Sequence, residues 1–442
     1  MDIIGLIPSF GNVIFTIIAF VIALSVIVAV HEYGHYIVGR WCGIKAEVFS
    51  LGFGPVIYAK PDKHGTVWQV AALPFGGYVK FLGDANAASV GSSEDEVDPA
   101  ALRQTMHGAP LWARAATVAA GPVFNFILSI IVFALFAVAV GRATEPFEIA
   151  DIKPLPAEYA SLEAGDIVLA VEGREISNVS ELLSLARDLP VEPTLDYRVM
   201  RDGSEQMAEG PFPFPALVGS ITPGLGAERA GLQAGDVIVG IDGDPIVAFH
   251  QLQKVAIESE GRELRLSVWR DGEILDFSFA TIKRAIPTDN GMEERWQIGL
   301  GGTTPFEPAV RSVGAFEAAK LGVVQTKDII VGSMNGLYAM VAGRIGSCNL
   351  SGPIGIAKVS GSAASQGLDS FIWMIAVLST AVGLLNLFPI PVLDGGHLVF
   401  HAYEAVTGRP PSEQALRVLM GIGLALLLGL MVFALTNDLF CP

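Results

Sequence analysis

The chain has 442 residues with a mean hydropathy of +0.51; 51% of the residues are apolar and 17% are charged. These values exclude an ordinary soluble protein and predict an integral membrane protein with soluble parts. The formal net charge of −17 argues against nucleic acid as a partner, because a nucleic-acid interface needs basic residues. The three cysteines form no CxxC pair, which predicts neither a zinc knuckle nor a disulfide framework.

Four uncharged apolar stretches are each long enough to cross a bilayer, which takes about 20 helical residues. Helices that are apolar on every side belong in lipid or in the centre of a bundle. We therefore expect four transmembrane helices, and the segments that contain them are 1–39, 113–141, 370–393 and 416–442. No basic region precedes the first apolar stretch, so we expect no cleaved signal peptide.

The first apolar stretch ends in His31-Glu32-Tyr33-Gly34-His35. In a helix, residues four apart lie on one face, so both imidazoles can bind the same metal ion. Glu32 is then placed to reach a metal-bound water without being a ligand, which is how HExxH serves zinc proteases. The motif alone leaves open a chance pentapeptide whose histidines only anchor a helix end at the lipid headgroups.

Basic residues are concentrated in and beside the short loops that join the first span to the second and the third to the fourth. They are Arg40, Lys45, Lys60, Lys63, Lys80, Arg103, Arg114, Arg409 and Arg417. Short loops rich in lysine and arginine stay in the cytoplasm. We therefore expect both loops to be cytoplasmic, and the segment 142–369 and both termini to lie on the opposite side of the membrane.

The loop at 40–112 contains two β-rich runs that flank a turn at 61–65, which predicts a hairpin. Their apolar residues predict a sheet that lies against the membrane or dips into it. A small soluble β-subdomain is the open alternative. Gly52 and Gly54 permit close backbone approach in this loop, and the acidic tract at 85–99 is predicted to be flexible.

The segment between the second and third spans contains an internal repeat. LEAGDIVLAVEGREI at 162–176 returns as LQAGDVIVGIDGDPI at 232–246, and Arg-Asp-Gly follows at 201–203 and again at 270–272. Two matched units predict tandem small domains at 142–212 and 213–284. The pattern resembles PDZ domains of bacterial proteases, which add a peptide strand to a sheet edge. A generic β-rich pair is the alternative.

The segment 285–369 follows the repeats. The spacing of Phe316, Ala319, Val323 and Val324 predicts an amphipathic helix within it. Such a helix can lie on the membrane surface or pack as an ordinary scaffold helix, and we favour the scaffold helix.

A catalytic zinc needs a third protein ligand and one open position. The candidate is Asp394, which follows Asn386-Leu-Phe-Pro-Ile-Pro-Val-Leu and opens the loop at 394–415. The first and third spans run in the same direction, so His31 and Asp394 lie near the same face of the membrane. Pro389 and Pro391 break the helix before Asp394 and free it to turn toward the metal. A loop carboxylate without a metal is the alternative.

Taken together, HEYGH, the GFG of the β loop, the tandem repeat and NLFPIPVLDGG resemble the site-2 protease family of intramembrane metalloproteases over nearly the whole chain. The resemblance implies one zinc ion held by His31, His35 and Asp394. It implies that Glu32 is the catalytic acid and base, and that Asn386 helps to hold an unwound substrate.

The resemblance also implies the fold class: a polytopic α-helical membrane protein with four transmembrane helices, a membrane-associated β loop and two tandem PDZ domains (α+β). The β loop with Gly52 and Gly54 would present an edge to substrate. The family implies a bacterial inner membrane, an active site near its cytoplasmic face and periplasmic PDZ domains. Its partners would be the lipid bilayer, a PDZ-bound peptide and single-span substrates, namely a trimmed anti-sigma factor of envelope stress signalling and remnant signal peptides.

Two other classes of function compete with a protease. A PDZ scaffold with a structural zinc is disfavoured because Glu32 is intact and the fourth zinc position is open. A metal or small-molecule transporter is disfavoured because the four spans contain no repeat among themselves.

Overall fold

The computed structural model of the chain describes residues 6–83, 99–156, 161–222, 225–288 and 291–440. The tract predicted to be flexible, 85–99, lies outside the described residues except for its last position. The chain divides into two compact units. The first comprises 1–135, 315–334 and 350–441, and the second comprises 136–314 and 335–349.

The described residues form ten α-helices. They are α1 (Leu6–Trp41), α2 (Leu111–Val140), α3 (Val179–Leu185), α4 (Gly226–Ala230), α5 (Phe249–Glu258), α6 (Ala315–Val341), α7 (Pro353–Ser365), α8 (Leu368–Asn386), α9 (Asp394–Thr407) and α10 (Glu413–Phe440). Four of these, α1, α2, α8 and α10, are long and apolar enough to cross a membrane, which confirms the predicted number of spans. The helix of the third span ends at Asn386, before the predicted limit at 393, because Pro389 cannot continue it.

Close backbone contact joins the first two spans. A Cβ atom on Gly34 would lie 2.5 Å from the carbonyl oxygen of Ala120, so only glycine fits at this crossing. Helices in lipid gain little from the hydrophobic effect and associate where small residues let their backbones meet. The glycine within HEYGH therefore sets the distance from α1 to α2.

The strands of the chain are short except in one hairpin. They are β1 (Ala46–Pro61), β2 (Val67–Phe81), β3 (Arg142–Ala143), β4 (Ile149–Ile152), β5 (Ile167–Val171), β6 (Arg174–Glu175), β7 (Thr194–Arg201), β8 (Ser204–Pro211), β9 (Val218–Ile221), β10 (Val237–Ile241), β11 (Asp244–Pro245), β12 (Glu263–Arg270), β13 (Glu273–Ala280), β14 (Ile282–Thr288), β15 (Gly291–Gln297), β16 (Leu300–Gly302), β17 (Phe306–Pro308) and β18 (Val310–Arg311). β1 and β2 pair antiparallel across the predicted turn, which confirms the hairpin.

The β1–β2 hairpin is folded on itself. Residues 46–51 pair on one side with 67–70 and on the other side with 77–81, and 56–61 pair with the outer side of 67–71. Two long strands therefore make four short rows, with 77–81 at one edge. Such bends need backbone freedom, and Gly52, Gly54 and Gly76 all have φ values between +84° and +127°.

A half-buried carboxylate anchors the hairpin turn to α1. Asp62 accepts hydrogen bonds from Tyr36 Oη at 2.9 Å and from Trp68 Nε1 at 3.3 Å. The backbone N–H groups of His64 and Thr66 donate to the same carboxylate. Burial opposes ionisation of Asp62, but these hydrogen bonds outweigh it and lower the pKa of Asp62 to about 2.

Because the pKa of Asp62 is lower in the folded chain than in the unfolded chain, the stabilisation is present above about pH 4 and is lost as pH falls toward 2. We expect Asp62→Asn to lower the thermal stability of the purified chain at pH 7. The difference from wild type should shrink between pH 4 and pH 2. Asp244→Asn, at an exposed carboxylate, serves as the control; a pH-independent difference for Asp62→Asn would contradict this account.

The second unit contains two β-rich repeats of the same design. The first has a four-stranded sheet in the order β6-β5-β7-β8 with helix α3, and the second has the order β11-β10-β12-β13 with helix α5. Each surrounds its own apolar core. β17 pairs with β4 and β16 pairs with β9, so strands after the second repeat extend both repeats. The domain limits given above stay predictions.

A buried ion pair links the two sequence signatures of each repeat. Asp166 accepts from Nε and Nη2 of Arg201 at 2.6 and 2.7 Å, and Asp236 accepts from Arg270 at the same two distances. Both aspartates are at most 1% exposed. The Gly-Asp turn and the Arg-Asp-Gly turn recur together because the arginine of the second turn neutralises the buried aspartate of the first.

Removing one arginine leaves a buried carboxylate without its partner, which is strongly destabilising. We expect Arg201→Gln to speed amide hydrogen exchange in β5 and β7 by at least about tenfold and to leave β10 and β12 unchanged. Arg270→Gln should do the reverse. Arg198→Gln, which removes an exposed ion pair with Glu175, is the matched control. If the amides of β5 and β7 exchange at the same rate in Arg201→Gln and Arg198→Gln, the ion pair of Arg201 with Asp166 does not stabilise the repeat.

The predicted amphipathic helix exists as α6, but its apolar residues do not pack on the protein. Phe316, Val323 and Val324 are exposed. The opposite face is buried through small residues, and a Cβ on Gly322 would lie 2.4 Å from the carbonyl oxygen of Ile130 in α2. Tight backbone packing therefore selected the face with glycine, and not the face of the predicted apolar residues, for the contact with α2. Whether α6 serves as a scaffold helix or lies on the membrane surface stays a prediction.

Helix α7 was not predicted. A Cβ on Gly361 would lie 2.4 Å from Thr16 Oγ1, so α7 packs closely against α1. The carboxylate of Asp438, near the end of α10, accepts hydrogen bonds from the backbone N–H groups of Gly352 and Ile354 at 2.8 and 2.9 Å. The last span therefore supplies the N-terminal cap of α7.

Candidate metal centre

Three predicted ligands meet in the first unit. Nε2 of His31 lies 3.2 Å from Nε2 of His35 and 3.1 Å from Oδ2 of Asp394, and Oδ1 of Asp394 lies 3.6 Å from Nε2 of His35. Zinc bonds of about 2.0–2.1 Å at tetrahedral angles separate neighbouring ligand atoms by about 3.3 Å. The three groups therefore lie close enough together to share one zinc ion.

The donor set also suits zinc. Two imidazoles and one carboxylate are ligands of catalytic zinc sites, which keep a further position open. Among the described residues, these three form the one group of acidic, histidine and cysteine side chains close enough to share an ion. Oδ2 of Asp394 is buried and makes no hydrogen bond. Burial opposes its ionisation, but contact with the two imidazoles holds the pKa of Asp394 well below its usual range.

Two glycines place Asp394 at the start of α9. A Cβ on Gly395 would lie 2.3 Å from the carbonyl oxygens of Leu387 and Phe388, and a Cβ on Gly396 would lie 2.3 Å from that of Ile390. The chain can therefore turn back tightly after α8 only with glycines at these positions. This turn carries Asp394 to the histidines of α1.

Helix α2 contacts both histidines at their Nδ1 atoms. These contacts were not predicted from the sequence. Nδ1 of His35 donates to the carbonyl oxygen of Thr117 at 2.8 Å, which leaves Nε2 free for a metal. Asn125 is fully buried, and its amide nitrogen lies 3.2 Å from Nδ1 of His31. The signal for Asn125 was in the sequence, because a lone amide inside an apolar span marks a site.

The carbonyl oxygen of Asn125 is buried and without a hydrogen bond. A histidine that binds metal through Nε2 carries its proton on Nδ1 and needs an acceptor there. Turning the amide of Asn125 over would satisfy both groups at once. Gly121 leaves room for this arrangement, since a Cβ there would lie 2.3 Å from Nε2 of His35.

A cavity of about 350 Å³ opens at the three ligands. Glu32 and Asn386 line it, as do Gly77 and Tyr78 of the hairpin edge. The amide of Asn386 donates to the carbonyl oxygen of Val382 at 3.1 Å. The structure thus brings together Glu32 and Asn386 with the ligand set, and their roles in catalysis stay predictions.

Gly52 and Gly54 are not among the residues that line this cavity. A Cβ on Gly52 would lie 2.7 Å from the carbonyl oxygen of Leu73, so its small size serves the bend of the hairpin. The edge next to the metal ligands is the row at 77–81, where Gly77 packs against Glu32. The prediction that Gly52 and Gly54 bind substrate stays untested.

Two further histidines of α9, His397 and His401, line the cavity and were also missed. Burial lowers the pKa of His397, and it lowers that of His401 to about 4, with the guanidinium of Arg114 adding to the effect. Arg114 and Glu404 form a bidentate ion pair, with distances of 2.6 and 3.1 Å, that ties α2 to α9. His397 and His401 follow Asp394 by three and seven residues, which places all three on one face of a helix. This spacing was the signal in the sequence that could have identified them.

The sequence profile of peptidase family M50 matches residues 19–430. The chain belongs to this family. A protein of Brucella suis whose name describes it as a zinc metalloprotease is 35% identical over 431 residues, which cover 96% of this chain and 95% of the relative. The M50 peptidases similar to this chain also include the regulator of sigma E protease of Salmonella typhi, at 32% identity, and the protease RseP of Yersinia pestis, at 31%. Each match covers 97% of this chain and 99% of the relative.

Membership in the M50 family confirms three predictions at once. The protein is a metalloprotease of the site-2 type, zinc is its cofactor, and it is embedded in a membrane. The residues found at the predicted positions fit zinc by distance, by donor type and by a buried carboxylate oxygen of Asp394 that makes no hydrogen bond.

Asp394→Ala removes one of three protein donors, so we expect zinc affinity to fall by more than about 100-fold, beyond the loss caused by a supporting residue. Metal analysis of the purified chain after dialysis measures this. His401→Gln is the matched control, because His401 lines the same cavity without lying among the ligands. Full zinc occupancy in Asp394→Ala would place the third ligand elsewhere.

Proposed function

We propose that this protein hydrolyses peptide bonds within the spans of single-span membrane proteins, with His31, His35 and Asp394 as zinc ligands and Glu32 as acid and base. The observation that carries the proposal is the meeting of three metal donors with Glu32 in one cavity between candidate spans. Intramembrane proteolysis as such follows from the family.

Zinc bound by these three residues supplies Lewis acidity and lowers the pKa of a water molecule toward 7. Glu32 takes the proton of the attacking water, whose oxygen bonds to the carbonyl carbon of the substrate. As the C–N bond breaks, Glu32 returns the proton to the leaving amine. Thr117 and Asn125 keep the imidazoles oriented throughout, because α2 holds both Nδ1 atoms.

A helical substrate hides its carbonyl groups in its own hydrogen bonds, so it must unwind before it can be cut. The freed backbone groups then need partners inside the membrane. The hairpin edge at 77–81 lines the cavity and can add a substrate strand, and the amide of Asn386 offers a further contact. Gly77 lacks a side chain and leaves room for that strand beside Glu32.

The substrates we propose are a trimmed anti-sigma factor and remnant signal peptides in a bacterial inner membrane. The supporting observation is that one relative, similar over 97% of this chain, carries the name regulator of sigma E protease. The basic loops support an active site near the cytoplasmic face. Cys348 is disulfide-bonded, contrary to the expectation from the cysteine count, and this supports an oxidising compartment for the segment 142–369.

The two β-rich repeats are proposed to be PDZ domains that act as a size filter on substrates. Their four-stranded sheets have the same strand order, and α3 in the first repeat corresponds to α5 in the second, which supports the PDZ assignment. A bulky folded domain would be held back, whereas a trimmed stub would let its span reach the zinc. The competing role is recruitment, in which a groove binds a new C-terminal carboxylate.

Glu32→Gln tests the chemistry. We expect cleavage of a membrane-embedded substrate to fall by about 10²- to 10⁴-fold while one zinc per chain is retained, because Glu32 is a base and not a ligand. Glu413→Gln, at an exposed carboxylate, is the control. Cleavage by Glu32→Gln at the wild-type rate would reject the base, and loss of zinc would make Glu32 a ligand.

Removal of the part of the second unit that contains both repeats tests the filter. Thr144 N–H donates to the carbonyl oxygen of Ala309 at 2.9 Å, so residues 145–308 can be replaced by a short flexible linker without moving the ends. We expect the shortened protein to cut a substrate whose outer domain is intact, as well as a trimmed one. If it cuts only the trimmed substrate, the filter idea fails; if it cuts the trimmed substrate more slowly, recruitment is supported instead.

A further inference from the structure

A second cavity in the first unit has a volume of about 360 Å³ and lies at the end of α1. Arg40, Lys45, His64 and Gln104 contribute side chains to its wall. These side chains have no part in the proposed proteolysis. The wall also contains no aspartate or glutamate, although the whole chain has 45 acidic and only 28 basic residues.

The cations of this cavity are not neutralised by the protein. Within the described residues, Arg40 and Lys45 make no ion pair, whereas Lys80 in the same loop pairs with Glu47 at 3.1 Å. Nη2 of Arg40 lies 2.6 Å from Nε2 of His64. A guanidinium can only donate, so the imidazole nitrogen accepts and the positive charge of Arg40 remains.

The carboxylate nearest in sequence to His64 is Asp62, and it is already engaged. Four hydrogen bonds reach it, from Tyr36, Trp68 and the backbone N–H groups of His64 and Thr66. Asp62 lies beside the cavity, because Tyr36, His64 and Thr66, which donate to it, also line the cavity, but it forms no ion pair with Arg40 among the described residues. Arg40 and Lys45 therefore bring two positive charges to the cavity against the one negative charge of Asp62 beside it, and their remaining N–H groups can donate to a ligand.

The end of a candidate span and an exposed tryptophan lie at this cavity. Arg40 and Trp41 are the last residues of a candidate span, and the Trp41 side chain is 72% exposed. Tryptophan is enriched where the hydrocarbon meets the headgroups. The backbone of Lys45 is fixed just beyond this level, since its N–H donates to Gln104 and its carbonyl accepts from Leu82.

We propose that this cavity binds the phosphate of an anionic phospholipid headgroup. Arginine offers paired donors that match phosphate oxygens, and basic pockets at the ends of spans take such headgroups. Arg40 belongs to α1 and His64 to the hairpin turn, so one bound phosphate bridges both. The volume is in the range of small-ligand pockets.

The test uses the purified full-length chain with zinc, in nanodiscs that contain phosphatidylethanolamine alone or with phosphatidylglycerol. Native mass spectrometry after gentle release counts the lipids that stay bound. We expect wild type to retain phosphatidylglycerol in preference to phosphatidylethanolamine. The double variant Arg40→Gln/Lys45→Gln should lose at least about tenfold of that preference, because each cation near a membrane surface contributes about fivefold.

The matched control is Lys60→Gln/Arg409→Gln, which removes the same charge from exposed side chains outside the cavity. Zinc content verifies that each variant is folded. A double variant that retains phosphatidylglycerol like wild type overturns the proposal, as does an equal loss in the control. Displacement of the lipid by millimolar inorganic phosphate would mean that the site serves soluble phosphate, and this also overturns the assignment to lipid.

Discussion

The first unit depends on one constraint. The two imidazoles of HEYGH must meet, in an apolar surrounding, a carboxylate that lies more than 350 positions further along the chain. Ionisable groups in such a place are costly unless each one has a partner. The structure satisfies this requirement with backbone contacts that only glycine allows. Gly34 and Gly121 bring α2 to α1, and Gly395 and Gly396 turn the chain so that Asp394 reaches the histidines.

Helix α2 contributes no predicted ligand, yet it orients the whole centre. Thr117 and Asn125 contact the two histidines from one side, and Arg114 holds α9, the helix that begins with Asp394, through Glu404. Interactions behind the ligands of a metal site are commonly as important as the ligands themselves. A metal centre built from α1 and α9 is therefore only as rigid as the packing of both helices on α2.

The hairpin shows how a membrane protein can keep a strand edge that no other described strand pairs beside a reactive site. Glycines with positive φ fold β1 and β2 into four short rows, and the row at 77–81 is left at the edge next to Glu32. An unpaired edge binds extended peptides, which makes it costly in lipid and useful in a protease of helical substrates. Asp62 secures the other end of the same hairpin to α1.

The sequence by itself determined the features that depend on short-range periodicity: four spans, the shared face of His31 and His35, the hairpin turn and the repeat in the second unit. The position of Asp394 near the histidines was also predictable, because the first and third spans run in the same direction and Pro389 and Pro391 end the helix before it. Only the tertiary structure decided which residue of α2 supports each histidine, which row of the hairpin faces Glu32, and which face of α6 is buried. Those choices rest on contacts between distant segments, where a clash of one Cβ atom outweighs any local pattern of hydrophobicity.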